Sequence, residues 1–305
     1  LAPVPGAIQN VGADPIFVEI DDSYHIDLDD LEQKAKSSKA KFLLLSHMRG
    51  HIADMDKITA ICSKNEITVI EDCAHTMGSK WRGVRSGNFG KISAFSTQTY
   101  KHMNSGEGGF LTTNDPELAA KAVVSSGSYM LYGRHGAIPS EEIFRNTRLD
   151  SPNYSGRMDQ IRAGILRSQL PKLEKNIERW NSLYATLFEE LSNIAGISIP
   201  ARNQKESYVG SSIQFKVSKL ENNEIRKFVV SCLNRGVDLK WFGDKEPKAF
   251  TSRYDSWTYI KELPVLNRTL SVLAKTIDMR IPLTFKKEDC AIIARIIKSE
   301  MAKFN

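Results

Sequence analysis

The 305-residue sequence predicts an α/β protein with a mainly parallel central sheet flanked by helices, followed by a smaller C-terminal α/β domain. Two observations predict this class. Strand-like and helix-like segments alternate through the first half of the chain, which favours a parallel sheet covered by helices. Two strand-like segments, residues 41–46 and 67–70, are continuous apolar runs, as expected for strands buried on both faces.

Helix-start and turn signals divide the first half of the chain. We expect strands at residues 15–20, 41–46, 67–70, 92–96 and 110–113. We expect helices starting near His25, at residues 54–65 and at residues 116–126. Asp27 or Asp29 can cap the first of these, and Pro116 begins the last, where a missing N–H costs nothing. Residues 127–153 contain three glycines and two prolines, and we expect a long ordered loop there.

Two helix-like segments, residues 157–170 and 173–191, follow this loop. Strand–helix alternation stops at this point, so we place a domain boundary near residue 175. We expect a large domain at residues 1–175 and a small domain at residues 176–305. In the small domain we expect strands at residues 212–217, 237–241 and 279–283, and helices at residues 223–234, 265–275 and from Glu288.

Composition excludes several classes of protein. The net charge of +6 comes from 42 basic and 36 acidic residues that are interspersed, whereas nucleic-acid binders usually carry a basic stripe. No apolar run approaches the roughly 20 residues that cross a bilayer. Four cysteines (Cys62, Cys73, Cys232 and Cys290) are widely spaced, which argues against a zinc ribbon or a disulfide framework. We therefore expect a cytoplasmic protein that binds no metal, membrane or nucleic acid.

The residues with the clearest chemical potential lie between 69 and 114. Asp72 ends a buried strand, where a carboxylate can pair with the protonated ring nitrogen that pyridoxal phosphate requires. Lys101 follows the next strand, and its amine can condense with an aldehyde. His75 can stack on such a ring, and Ser96 can bind its phosphate. Each has an ordinary alternative: a solvated lysine, a capping or core histidine, or a strand-end hydroxyl.

The motifs EDCAH at 71–75, AFS at 94–96 and GEGG at 106–109, with a lysine between the last two, form a recognisable order. This order resembles the DegT/DnrJ/EryC1/StrS family of PLP-dependent sugar aminotransferases. Segments 12–21, 47–56 and 152–158 resemble further motifs of that family, so the resemblance covers nearly the whole chain. It implies the fold-type-I, aspartate aminotransferase-like architecture of PLP transferases.

The resemblance also implies roles for individual residues. Lys101 would form the Schiff base with pyridoxal 5'-phosphate and would carry the proton. Asp72 would pair with the pyridine nitrogen, His75 would lie against the ring, and Ser96 would contact the phosphate. Asn153 would reach the phosphate of the neighbouring subunit, which implies a homodimer with a shared active site.

The sequence departs from the family pattern in two places. The family has several tens of residues before the position of Leu1, including a phosphate-binding turn at a helix N-terminus, so part of the cofactor site is expected outside this chain. The segment NYSGR at 153–157 has two more residues than the family's NYRM motif. Arg157 is therefore an alternative to Asn153 as the anion-binding residue.

The resemblance implies that an amino group moves from glutamate or glutamine to a keto-sugar. The sugar would be nucleotide-linked, or a sugar acid such as an 8-keto octulosonate, to whose aminating enzymes the HMRG form at 47–50 bears a faint resemblance. Two alternatives remain: a non-catalytic regulatory or structural protein with the PLP fold, and a lyase or desulfurase. The presence of Lys101, Asp72 and Ser96 argues against the first, and Cys73 is expected to be a buried residue rather than a persulfide carrier.

Two further groups of residues have undecided roles. Basic residues in the 127–157 loop can meet a nucleotide or carboxylate, or else solvent or a second subunit: Arg134, His135, Arg145 and Arg148. An aromatic-rich stretch at residues 241–257 can cover the site or belong to the core.

Overall fold

A computed structural model of the chain describes residues 3–134, 136, 138–248 and 253–304. The chain divides into two compact units. The first unit contains Lys39–Glu174 and Lys205–Ser207, and the second contains Leu1–Ser38, Lys175–Gln204 and Tyr208–Asn305. The chain leaves the first unit next to the predicted boundary near residue 175, whereas the segment before Lys39 is grouped with the second unit.

The α-helices of the described chain are α1 (Pro3–Asn10), α2 (Leu28–Ser37), α3 (Met55–Lys64), α4 (Pro116–Ser126), α5 (Glu141–Thr147), α6 (Gln160–Gln169), α7 (Leu173–Ser192), α8 (Asn222–Asn234), α9 (Asn267–Ala274) and α10 (Lys287–Met301). The β-strands are β1 (Phe42–Ser46), β2 (Thr68–Asp72), β3 (Lys80–Trp81), β4 (Val84–Arg85), β5 (Ile92–Ser96), β6 (Gly109–Thr112), β7 (Glu206–Ser207), β8 (Ser212–Lys216), β9 (Lys240–Trp241) and β10 (Thr276–Arg280). Among the described residues, no helix has the length and apolar character needed to span a bilayer.

The sheet of the first unit has the order β1-β2-β5-β6. Strands β1, β2 and β5 are parallel, and β6 runs antiparallel to β5, so the predicted mainly parallel sheet is confirmed. Helix α3 connects β1 to β2. It begins as predicted, because the Asp54 side chain accepts a hydrogen bond from Lys57 N, and it buries Met55, Ile58 and Cys62. This order places the carboxyl ends of three parallel strands at one edge.

A second, small sheet of the first unit was not predicted. Strands β3 and β4 form a hairpin, and β7 pairs with β3. Each of these strands has only two residues, which is too short for an alternating pattern to be visible in the sequence. The buried ring of Trp81 lies in this sheet, with the Lys205 amine 5.7 Å from its centroid.

The predicted loop at residues 127–153 is wrong in part, because it contains a 3-10 turn at Ser128–Arg134 and helix α5. Ser140 caps α5 by accepting from Ile143 N. The rings of Tyr132 and Phe144 stack at 3.6 Å and pack with Val124 of α4. This small apolar cluster explains why the segment is ordered.

The second unit contains an antiparallel sheet of order β8-β10-β9. One face packs against α7, α8 and α10 in a continuous core that includes Trp180, Leu187, Phe215, Phe228, Ile277 and Ile297. The expected strand at residues 15–20 is wrong, since only an isolated bridge joins Ile20 to Ile26. Side-chain contacts hold this segment instead: Glu19 accepts from Thr269 N at 2.7 Å, and Asp27 pairs with Arg268.

Candidate active site

Asp72 ends strand β2, directly opposite Ser46 at the end of β1. The Ser46 hydroxyl donates to Asp72 Oδ2 at 2.7 Å, and the backbone N–H of Ala74 donates to Oδ1 at 3.0 Å. Both bonds hold a half-buried carboxylate at the carboxyl edge of the parallel strands. Ligands of open α/β sheets bind at this edge, so Asp72 stands where a cofactor is expected.

His75 follows in a turn closed by the bond from Thr76 N to Cys73 O at 3.1 Å. Its Nε2 lies 3.0 Å from the Nζ of Lys101, although the two residues are 26 positions apart. The structure therefore brings together two residues that the sequence analysis selected separately.

Lys101 lies in the loop that connects β5 to β6. Ladder-like bonds close this loop: Thr97 N donates to Gly108 O at 2.9 Å and Thr99 N donates to Gly106 O at 2.8 Å. A Cβ atom on Gly109 would lie 2.5 Å from the carbonyl oxygen of Phe95, so only glycine fits there. The GEGG motif thus closes the loop that presents Lys101.

Tyr100, the residue before Lys101, has a φ of 75°, which non-glycine residues rarely adopt. Its side chain is 75% exposed, so core packing does not explain the conformation. Strained backbone of this kind is concentrated at functional sites. Here it determines the direction in which the chain enters Lys101.

Two cationic side chains, Lys101 and Arg49, lie close enough to His102 of this loop to affect its pKa. Arg49 is buried in the 3-10 turn Met48–Gly50 that follows β1, with a φ of 52°. Burial, together with the charges of Lys101 and Arg49, lowers the pKa of His102 to about 3. His102 is therefore neutral at physiological pH, while Lys101 and Arg49 favour an anionic ligand.

Ser96 is the last residue of β5, at the same sheet edge as Asp72. Its half-buried hydroxyl accepts a 3.3 Å bond from Gln98 N. Its predicted contact with phosphate remains a prediction.

The segment 153–157 lies against the C-terminal end of α4. Asn153 Oδ1 accepts from Ser155 N at 2.8 Å, and Arg157 Nη1 donates to Gly127 O at 3.0 Å. Gly127 has a φ of 85°, and a Cβ there would meet the Arg157 guanidinium at 2.4 Å. Arg157 thus caps a helix C-terminus, where cations are favoured and anions are not. The role of Asn153 at a neighbouring subunit's phosphate remains a prediction.

Sequence analysis assigned no role to Glu71, which is fully buried. Its carboxylate accepts bonds from Gly87 N at 2.9 Å, Phe89 N at 2.8 Å, Gly90 N at 2.7 Å and Ser93 Oγ at 3.3 Å. Burial alone would raise the pKa of Glu71, but the His47 ring and three backbone N–H groups outweigh it and lower the pKa to about 2. The signal that could have identified Glu71 is an acidic residue within an apolar strand, followed by a loop that contains several glycines.

Two further groups had open roles in the sequence: the basic residues of the 127–157 loop and the aromatic stretch at residues 241–257. Arg134, Arg145 and Arg148 are exposed. Trp241, Phe242, Tyr254 and Trp257 are buried within the second unit, so the core interpretation is confirmed for these four aromatics. Phe250 of the same stretch lies outside the described residues. Leu1, His135, Thr251 and Ser252 lie outside the described residues.

Residues 4–293 match the sequence profile of the DegT/DnrJ/EryC1/StrS aminotransferase family. The chain belongs to this family. Pyridoxal phosphate is the cofactor of these aminotransferases, and the residues described above fit it chemically. A carboxylate suits the pyridine nitrogen, an amine suits the aldehyde, and a hydroxyl with nearby positive charge suits the phosphate.

Two curated relatives show what the chain is similar to. The chain is 29% identical to a GDP-perosamine synthase of Escherichia coli O157:H7 over 74% of its length and 59% of the relative's. It is 31% identical to a dTDP-3-amino-3,6-dideoxy-alpha-D-galactopyranose transaminase of Aneurinibacillus thermoaerophilus over 70% of its length and 56% of the relative's. The chain thus spans somewhat more than half the length of these curated relatives.

Solved structures confirm the fold. A protein from Streptococcus pneumoniae, solved in its PMP form, superposes with a TM-score of 0.81 at 18% identity, covering 100% of this chain and 80% of that one. The fold-type-I aminotransferase architecture predicted from the sequence is therefore confirmed.

Proposed function

We propose that this protein is a pyridoxal-phosphate-dependent aminotransferase that moves an amino group from an amino acid to a keto-sugar. The observation that supports this most strongly is the placement of the Lys101 amine 3.0 Å from His75, in the turn that directly follows Asp72. The amine and the imidazole thus lie on loops at the sheet edge where β2 ends in Asp72. Retention of all three in one site also argues against a non-catalytic protein.

Each residue has a defined task in this proposal. When bound, pyridoxal phosphate supplies an aldehyde that takes up the amino group and a protonated ring that withdraws electrons. Asp72, oriented by Ser46 and Ala74, would keep a proton on the ring nitrogen. Lys101 would hold the aldehyde end of the cofactor and would move the substrate proton as general base and then as general acid. His75 would lie against the ring, and Ser96 would hold the phosphate.

The proposed acceptor is a keto-sugar linked to a nucleotide. The names of the two curated relatives, which concern GDP-linked and dTDP-linked sugars, support this class. An 8-keto octulosonate is the second candidate, on the HMRG sequence at 47–50. We further propose glutamate or glutamine as the donor, a homodimer in which Asn153 reaches the partner's phosphate, and a cytoplasmic location.

The test uses the full chain with pyridoxal phosphate and glutamate. We expect 2-oxoglutarate to form in an amount equal to the cofactor and, with added keto-sugar, to form continuously. Lys101→Ala removes the proposed base and should abolish both, whereas Lys121→Ala, an exposed lysine of α4, should change neither. Substantial transamination by Lys101→Ala would rule out the assignment. Cofactor binding without any 2-oxoglutarate would favour a regulatory protein.

A further inference from the structure

The contact between Lys101 and His75 has chemical consequences for the protein without its cofactor. The Nζ–Nε2 distance of 3.0 Å is a hydrogen-bond distance. A lysine ammonium has three donors and no acceptor, so it can only donate to Nε2. The imidazole must then be neutral, with its own proton on Nδ1. A proton on both Nζ and Nε2 would place two cations 3.0 Å apart.

We propose that His75 is a proton-sharing partner of Lys101: when the lysine is not covalently bound, one titratable proton lies between Nζ and Nε2 near neutral pH. In one form Nζ carries the proton and Nε2 accepts the hydrogen bond. In the other form the proton has moved to Nε2, the electron pair of the broken N–H bond remains on Nζ, and the ring is an imidazolium. No other reactant is needed for this exchange.

Both partners are fixed independently of each other. His75 stands in the turn closed by Thr76 N and Cys73 O at 3.1 Å. Lys101 stands in the β5–β6 loop, where its own N–H donates to Gln98 O at 3.1 Å. Two anchored loops therefore determine the contact, rather than two free side chains that happen to meet.

Three further charged or titratable residues, Arg49, His102 and Asp72, belong to the segments that adjoin the pair. Arg49 comes from the turn after β1 and His102 from the same loop as Lys101, and the charges of Arg49 and Lys101 both act on His102. His102 is buried and its pKa is lowered to about 3, so it adds no charge near neutrality. Asp72, three residues before His75, is the nearby anion on β2.

The catalytic role of this proton exchange rests on the proposed aminotransferase function. A released lysine must be neutral before it can take a substrate proton. A partner that accepts its excess proton lets the amine become neutral without releasing that proton to solvent. His75 would thereby give Lys101 a direct route to the state in which it can act as a base, while the hydrogen bond itself favours the ammonium form.

The proposal is tested by NMR on the cofactor-free full chain labelled with ¹³C at histidine Cε1. The His75 signal is assigned by its loss in His75→Gln, and its pH midpoint is compared between wild type and Lys101→Met. We expect the midpoint to rise by about one pH unit or more in Lys101→Met, because the neighbouring cation is gone. Lys121→Met should leave it unchanged. Equal midpoints in wild type and Lys101→Met would overturn the proposal.

A second measurement covers the case in which Lys101→Met does not fold. Acetylation of Lys101 by acetic anhydride is followed by peptide mass spectrometry across pH in wild type, His75→Phe and His75→Gln. Loss of the acceptor should shift the labelling midpoint downward in His75→Phe, and His75→Gln should restore part of the shift. Identical profiles would refute proton sharing. Because neither experiment needs turnover, a protein that shares the proton but does not transaminate would refute only the proposed function.

Discussion

His47 Nε2 lies 3.6 Å from Glu71 Oε2, and neither side chain has any exposed surface. His47 directly follows β1, and its N–H continues the sheet by donating to Asp72 O at 3.4 Å. Glu71 precedes Asp72 on β2 and faces the opposite side of the strand. One buried carboxylate therefore joins the turn after β1 and the glycine turn at 87–90 to the strand that presents Asp72.

Replacing this carboxylate should destabilise the protein strongly. Glu71→Gln loses the charge that receives three backbone N–H groups, and we expect it to lower the free energy of unfolding by about 2–4 kcal/mol. Denaturant titration measures this. Glu174→Gln is the matched control: Glu174 pairs with Arg85 at 2.6 Å on the surface, and its loss should cost less than about 1 kcal/mol. Equal losses in both variants would contradict the assigned role.

Stability should also depend on pH through Glu71. The carboxyl has an ordinary pKa of 4.5 and a pKa of about 2 in the folded protein. A lowered pKa means that its contribution is complete above pH 4.5 and is lost as pH falls toward 2. Urea unfolding between pH 5 and pH 2 should show this decline in wild type. In Glu71→Gln the decline should be smaller, and parallel curves would exclude Glu71 as its source.

The closing of the Lys101 loop depends on Gly109. Gly109→Ala would place Cβ 2.5 Å from the backbone oxygen of Phe95, so the strand pairing must shift, and we expect a lower melting temperature. Gly164→Ala is the control in which an added Cβ should be tolerated, because this helical glycine of α6 has open space around it. That change should stabilise the protein by about 0.5–1 kcal/mol. Thermal unfolding of the two variants should therefore give shifts of opposite sign.

Asp72 is expected to matter for chemistry more than for folding. Asp72→Asn retains an oxygen for the Ser46 hydroxyl, so unfolding should change little. It loses the charge that holds a proton on the ring nitrogen, and the rate of the half-reaction with glutamate should fall about 100-fold or more. Stopped-flow absorbance measures that rate. Asp56→Asn, on the exposed start of α3, should retain the wild-type rate.

Local signals predicted much of the first unit from the sequence. The apolar runs became β1 and β2, Asp54 caps α3, and Asp115 precedes Pro116 at the start of α4. The segment at residues 15–20 has the composition of a strand but no neighbouring strand to pair with. Its backbone is held by Thr269 of α9, whose hydroxyl accepts from Ile20 N at 3.1 Å across 249 positions, a contact that no local pattern shows.

The sequence supplied candidate site residues but not the contacts between them. Lys101, His75 and Asp72 were selected by residue type and order, yet the Lys101–His75 contact depends on the closure of two loops. Glu71 was missed because three of its donors are backbone N–H groups of a distant loop, which residue types do not reveal. Asn153 and Arg157 depend on how their segment meets α4, a tertiary contact.

The most direct test of the central proposal is an absorbance spectrum of the full-length protein with pyridoxal phosphate, recorded before and after borohydride, followed by peptide mapping. We predict a band near the edge of the visible range that borohydride removes, with the cofactor then fixed to the peptide that contains Lys101. Addition of glutamate before reduction should convert the band and protect Lys101 from labelling. Absence of the band together with an unmodified Lys101 would contradict the assignment of an aminotransferase.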